Sequence, residues 1–164
     1  MSNINFKKIV ENLIDTFIYA GKVSLKLREK GLIKKIKSDN TPVSNGDLEV
    51  NEIITKKIFE LTPDIPIISE ETSDNKSIID LRNFWLIDPI DGTYDYINNL
   101  DEFTINAGLI IDRQPTAGLI YAPAKERMFY SYGKELAFEK TGGEIIKLDC
   151  SKYFNKNEIK FVSY

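Results

Sequence analysis

The stretch WLIDPIDGTYDYIN, Trp85 to Asn98, decides how the rest of the chain is read. Trp85 to Ile87 are apolar and read as the end of a buried strand, yet Asp88 follows at once and Asp91 lies three positions further on. A buried charge costs several kcal/mol unless something compensates it, so the two carboxylates need a partner. Pro89 biases Asp88 towards an extended backbone and pre-sets a turn, which lets Asp88, the Ile90 carbonyl and Asp91 point to one place. Gly92 permits close approach to the backbone, and Thr93 stands where a helix TYDYINNL would begin, offering free N–H groups to an anion. Taken alone, a D-x-x-D spacing also suits a turn followed by a helix cap.

A second acidic strand end changes the balance. PIISEE reads as a short strand running into Glu70 and Glu71. If it neighbours NFWLIDP, the acidic side chains meet at one edge of the sheet. Clustered carboxylates raise one another's pKa unless a cation lies among them. The chain has no histidine and one cysteine, Cys150, which removes the usual general base, an internal disulfide and a thiolate metal cluster. All-oxygen ligation points to Mg2+ or Mn2+. A hard ion beside an anion site supports phosphate chemistry without histidine.

Working outward, apolar residues return at helical spacing from about Ile4 to Leu32. Ile9, Leu13, Phe17, Ala20 and Ser24 form one stripe, with Val10, Ile14, Gly21 and Leu25 beside it and a stop near Gly31. KIKSDNTPVSNGD reads as a loop, with Ser44 or Asn45 placed to cap a second helix, about Asp47 to Leu61. Leu48, Ile53 or Ile54, Ile58 and Leu61 are expected on its inner face. Thr72 to Asp80 is expected to be an exposed loop. FTINAGLII, PTAGLIYAP, RMFYSY and ELAFEK read as successive strands. In the first, Phe103, Ile105, Ala107, Leu109 and Ile111 share one face, and a helix is expected over the mixed opposite face. The whole predicts an α+β fold, two long N-terminal helices packed on a largely antiparallel sheet.

With 164 residues, 42% apolar and 29% charged, the chain is about one domain of an ordinary globular protein. A net charge of -3, from 22 basic and 25 acidic residues, provides no field for gathering nucleic acid. The start MSNINFKKIVENLID carries charges among its apolar residues, and no apolar run is long enough for a membrane span. The expectation is a soluble cytoplasmic protein; a homo-oligomer is left open.

With both acidic motifs in hand, the sequence resembles the inositol monophosphatase superfamily of Mg2+-dependent, lithium-sensitive phosphatases. DPIDGT, PIISEE and KSDNTPVSNGD carry the resemblance. EFTINAGLI followed by PTAGLIYAP is most similar to its 3'(2'),5'-bisphosphate nucleotidases of the CysQ type. These remove the 3'-phosphate of adenosine 3',5'-bisphosphate to leave AMP; inositol or fructose-bisphosphate phosphatases are the alternative. The resemblance implies a sugar-phosphatase-like layered fold, with residues 1–164 as its N-terminal metal-binding domain. It implies that Glu70, Asp88 and the Ile90 carbonyl hold an activating Mg2+, and that Asp88 and Asp91 hold a second. Thr93 paired with Asp47 would polarise the attacking water, and Glu70 would act with them. The N–H groups of Gly92 and Thr93 would cradle phosphate, Lys37 would approach the metal and phosphate, and Glu71 would support rather than ligate.

The sequence departs from the family in two ways. SNGD stands where a small-residue pair is commoner, and no residue here supplies the further metal-binding aspartate of the family's second α/β domain. The apolar ending IKFVSY leads us to expect an N-terminal portion of a longer fold, which by itself would be a catalytically silent metal- or phosphate-binding module.

Overall fold

The structure is a computed structural model and describes residues 5–37, 40–72 and 81–149. Helix α1 spans Phe6–Lys30; Asn5 caps it by accepting a hydrogen bond from the Lys8 N–H, and Gly31, at a φ of 93°, ends it. Val10, Leu13, Phe17, Ala20, Gly21 and Ser24 are its buried stripe, one turn-face rotated from Ile9 and Ile14, which are only partly buried.

The expected loop before the second helix contains a small antiparallel hairpin, β1 (Lys34–Ile36) and β2 (Pro42–Ser44). The correction has a local cause. Asn40 takes a left-handed φ of 68° and the Lys37 N–H bonds the Thr41 carbonyl, closing the turn. Asn45 pins the base of the hairpin, exchanging bonds with the Ile33 backbone through its N–H and its side-chain oxygen.

Helix α2 runs Asn45–Leu61, starting earlier than Asp47 because Ser44 caps it in a reciprocal capping box with Asp47. Its inner face is also rotated from the expected one: Leu48 is 48% exposed, while Asp47, Val50, Asn51, Ile54 and Ile58 are buried. Two polar residues occupy core-facing positions, so hydrophobicity alone misplaces the stripe.

A seven-stranded sheet follows in the order β3 (Ile67–Ser69), β4 (Phe84–Asp91), β5 (Thr104–Ile111), β6 (Gln114–Ala122), β7 (Arg127–Ser131), β8 (Ala137–Thr141), β9 (Glu144–Lys147). Among the described residues only β3 and β4 pair in parallel; every other pair of this sheet is antiparallel. The last strand was not anticipated, because its Glu144, Ile145, Ile146 and Lys147 are all exposed and show no alternation. Helix α3 is short, Thr93–Ile97, and ends before the asparagines and leucine once assigned to it.

Both long helices pack on one face of the sheet, where Trp85, Ile87, Ile90, Ile105, Leu109 and Leu119 are fully buried against Phe17, Ile54 and Ile58. Each such side chain stabilises the fold by roughly 1.5–3 kcal/mol. The opposite face of β5, expected under a helix, carries none among the described residues; Leu86 and Ile120 on that side are 50% and 48% exposed. Residues 73–80 of the expected exposed loop, Cys150 and the apolar ending fall outside the described residues, while Thr72 is exposed.

Candidate active site

The parallel pairing of β3 with β4 brings the two acidic strand ends together. Ile67, Ile68 and Ser69 lie beside Trp85, Leu86 and Ile87, and the Glu70 N–H continues the ladder to the Ile87 carbonyl. Between β4 and β5 the register is Asp88 opposite Asn106, then Asp91 opposite Thr104. Three steps on β4 therefore match two on β5, which is a β-bulge at Pro89 and Ile90. In a regular strand, residues three apart face opposite ways. The extra residue returns Asp91 to the face that carries Asp88, and it sends both Ile87 and Ile90 into the core. This is how D-x-x-D becomes a pair on one surface.

Gly92 follows with a φ of 91°, and a Cβ there would stand 2.7 Å from the Glu102 carbonyl oxygen, so only glycine fits. It is the N-cap of α3. Tyr96, fully buried one turn later, donates to the Ser24 carbonyl at 2.7 Å and packs on Phe103, with the Arg28 guanidinium over both rings. Gly46 of α2 leaves room for that phenol. Arg28 also bonds the Leu100 carbonyl and Asp101, fixing the segment beyond α3. The first turn of α3 is thus held by α1 and α2.

Asp47, 1% exposed, reaches across from α2. Its Oδ2 accepts from the Ser44 N–H at 2.8 Å and the Ser44 hydroxyl at 2.6 Å; its Oδ1 lies 3.1 Å from the Thr93 hydroxyl. The Thr93 hydroxyl is also 2.9 Å from the Ile90 carbonyl oxygen. One hydroxyl proton serves one of these acceptors, and a carboxylate is a stronger acceptor than a carbonyl. The Ile90 carbonyl oxygen then stands beside Thr93 without that proton. SNGD therefore builds the loop well: Ser44 caps, Asn45 pins the hairpin, Gly46 clears Tyr96 and Asp47 reaches Thr93.

Lys37 bridges Glu70 at 3.2 Å and Glu71 at 2.8 Å. Burial works against its charge, but the bonds to Glu71 and Glu70 outweigh burial and raise its pKa. Glu71 is also raised: its side chain is 5% exposed, and that burial outweighs the attraction of Lys37. Glu71 thus holds Lys37 rather than facing an open site. Ser69 donates to Asn51 Oδ1 at 2.5 Å, tying β3 to α2 just before the acidic pair.

Asp88 is the strained member. Burial, then the charges of Glu70 and Asp91, a hydrogen bond with Glu70 and the charge of Asp47 push its carboxyl up to about 7. Asp88 Oδ1 is buried without a hydrogen-bond partner, as is the side-chain oxygen of Asn106 opposite it. Among the described residues no three carboxylates converge on one cation-sized point. Glu70 is bonded by Lys37, Asp47 by Ser44, and Asp91 Oδ2 by the Asn106 amide at 3.0 Å. The donor set is nonetheless all oxygen, its central carboxylate is partnerless on one side, and its charge is disfavoured without a cation, so the residues fit a hard divalent ion. A cleft of about 340 Å³ opens beside Asp91 and Gly92, with Asp95, Glu102 and Lys125 on its walls.

Every residue expected at the site, Lys37, Asp47, Glu70, Asp88, Ile90, Asp91, Gly92 and Thr93, lies along this one rim. Sequence reading missed Ser44 as a holder of Asp47, Asn51, Tyr96 and Asn106. Only the S-x-x-D capping pattern could have pointed to one of them, Ser44; the others depend on cross-strand register or interhelical contact.

The fold thus brings acidic strand ends, a hydroxyl–aspartate pair and a glycine-led helix start together at one edge of an α+β layered domain. Residues 7–159 match the inositol monophosphatase family, and the chain belongs to it. It is 34% identical over 145 residues to a 3'(2'),5'-bisphosphate nucleotidase CysQ of Aggregatibacter actinomycetemcomitans, covering 85% of this chain and 53% of that protein. Among solved structures it is similar to CysQ of Bacteroides thetaiotaomicron, with 26% identity and a TM-score of 0.65 over 85% of this chain and 51% of the other. An IMPase/NADP phosphatase complexed with Mg2+ and phosphate shares the fold, at a TM-score of 0.72 and 18% identity over 82% of this chain and 51% of that one. The chain spans about half the length of the curated relatives it matches. No helix among the described residues is long and apolar enough to cross a membrane.

Proposed function

We propose that this chain forms the N-terminal, metal-binding wall of a Mg2+-dependent phosphomonoesterase that hydrolyses the 3'-phosphate of adenosine 3',5'-bisphosphate to AMP and phosphate. The observation that carries the reading is the Asp47–Thr93 pair at 3.1 Å, set beside the Glu70, Asp88 and Asp91 rim. The CysQ relatives supply the substrate class. The substrate is a small nucleoside bisphosphate, not a nucleic acid, and the working compartment is the cytoplasm.

Glu70, Asp88, the Ile90 carbonyl and Asp91 would hold the divalent ions. When bound, such ions neutralise phosphoryl oxygens and lower the pKa of water. The chain's own groups do the rest. Thr93 donates to Asp47, which leaves a hydroxyl lone pair to accept a hydrogen bond from the attacking water; as the water proton passes to Thr93, the Thr93 proton passes to Asp47. Ser44 fixes Asp47 in that role through two bonds. The Gly92 and Thr93 N–H groups, at the start of α3, offer the phosphate a positive cradle. Lys37 stands across the rim with its charge retained for the anion.

The test is release of inorganic phosphate from adenosine 3',5'-bisphosphate in Mg2+. Turnover of this substrate over an inositol monophosphate supports the assignment; the reverse preference overturns it. A second reading, a metal- and phosphate-binding module without turnover, is favoured by the lack of three converging carboxylates among the described residues. Mg2+ binding with no phosphate release from either substrate establishes the module and overturns catalysis by this chain.

A further inference from the structure

We propose that Asn106 is a further residue of the cation site, its amide nitrogen positioning Asp91 and its amide oxygen offering a neutral oxygen ligand, direct or through water, beside Asp88. The inference rests on the reading of this rim as a Mg2+ centre.

The Asn106 amide NH2 donates to Asp91 Oδ2 at 3.0 Å. That fixes the amide oxygen on the other side. There it is buried and without a partner. Asp88 lies directly opposite Asn106 in the β4–β5 register, and side chains opposite one another on one face stand about 4.5–5.5 Å apart at Cβ. Asp88 Oδ1 is likewise buried and without a partner. Two unpartnered oxygens thus lie on neighbouring strands at paired positions of the β4–β5 register. Leaving buried polar groups unsatisfied is costly, so a native site arranges them for something electropositive. A hard cation or its bound water would satisfy both at once.

A plain structural role for Asn106 would need only the bond to Asp91. It would leave the amide oxygen without purpose. Side chains that orient metal ligands typically contribute about 10–100-fold to metal affinity.

The experiment is a titration of the metal-free chain with Mn2+, followed by electron paramagnetic resonance, and with Mg2+, followed by calorimetry. Asn106→Leu keeps the volume and removes both functions; the expected result is affinity weaker by about 10–100-fold with the metal-free unfolding temperature little changed. Asn106→Asp restores an oxygen beside Asp88. Its expected signature is recovery of most of the Mn2+ affinity together with a lower metal-free unfolding temperature, from repulsion with Asp91. If Asn106→Leu fails to fold, Asn106→Ala replaces it in the same comparison. Wild-type affinity in the Leu or Ala variant overturns the role of Asn106, and so does Asn106→Asp binding no better than Asn106→Leu. A wild-type chain that binds neither ion overturns the reading of the rim itself, which is a separate outcome.

Discussion

On the inner face of β4 and β5, Trp85, Ile87, Ile90, Ile105 and Leu109 are sealed beneath two helices, whereas on the outer face of the same strands Leu86 is 50% exposed and Asp88, Asp91 and Asn106 gather. One pleat separates the part of the molecule that holds the fold from the part equipped for chemistry. The bulge at Pro89 and Ile90 is where one pattern is re-phased against the other. Adjacent residues should therefore fail in different ways when altered.

The largest contrast is expected between neighbours. Trp85→Ala opens a cavity in the core and leaves the Thr62 hydroxyl without the indole N–H that it now accepts from at 3.0 Å. It should cost about 3–5 kcal/mol by urea denaturation. Leu86→Ala, one residue on, should cost only about 1 kcal/mol, since about half of that residue stays in water on folding. Equal costs would show that the outer face is covered in solution.

Gly92→Ala tests the junction between the two regimes. A positive φ costs a Cβ-bearing residue about 1–2 kcal/mol, and the contact with the Glu102 carbonyl adds to it. The expected result is a loss of at least that size in stability, with the far-UV circular dichroism of the sheet retained. A neutral Gly92→Ala would mean that the turn relaxes freely and that the helix start is not held in place.

What could be read from sequence follows the same division. The helical stripes of Leu13, Phe17 and Ala20 and the alternation from Phe103 to Ile111 are local patterns, and the α+β arrangement follows from them. The acidic ends at Glu70 and Asp88 were legible because carboxylates at the close of apolar strands contradict burial. What was not legible depends on partners distant in sequence. Leu48 was placed inward because hydrophobicity could not show that Asp47 and Asn51 face the core to reach Thr93 and Ser69. Asn106 looked like one residue of a mixed face, since only the β4–β5 register sets it against Asp88. The hairpin of β1 and β2 hinges on Asn45 reaching back to Ile33, which no periodicity records.

Returning to the outer face, Asp88→Asn should separate stability from binding. Replacing a carboxylate whose charge is disfavoured by burial and by Glu70 and Asp91 should raise the metal-free unfolding temperature near neutral pH. Each kcal/mol relieved corresponds to roughly 2–4 °C in a chain of this size. The same change should abolish Mg2+-induced stabilisation. An unchanged or lower metal-free unfolding temperature would mean that Asp88 already has a partner in solution.

The smallest effect is the pH response of the metal-free chain, and its sign follows from the same carboxyl. Asp88 sits near about 7 in the folded chain against an ordinary value of 3.8, so the folded state binds this proton more tightly than the unfolded state. The resulting penalty is absent below the ordinary value, grows as pH rises through the interval, and is complete above about 7. Because Asp88 is only partly buried, solvent screening reduces the effect to a few degrees at most. The chain has no histidine, so few other groups titrate between about pH 6 and pH 8. Differential scanning fluorimetry should therefore show the unfolding temperature rising as pH falls across that interval. Asp88→Asn should flatten the slope, and saturating Mg2+ should flatten it too, by keeping Asp88 ionised at no cost. A wild-type profile already flat would place Asp88 in the same electrostatic situation as an ordinary surface aspartate, and the distinction between the two faces of β4 would then rest on exposure alone.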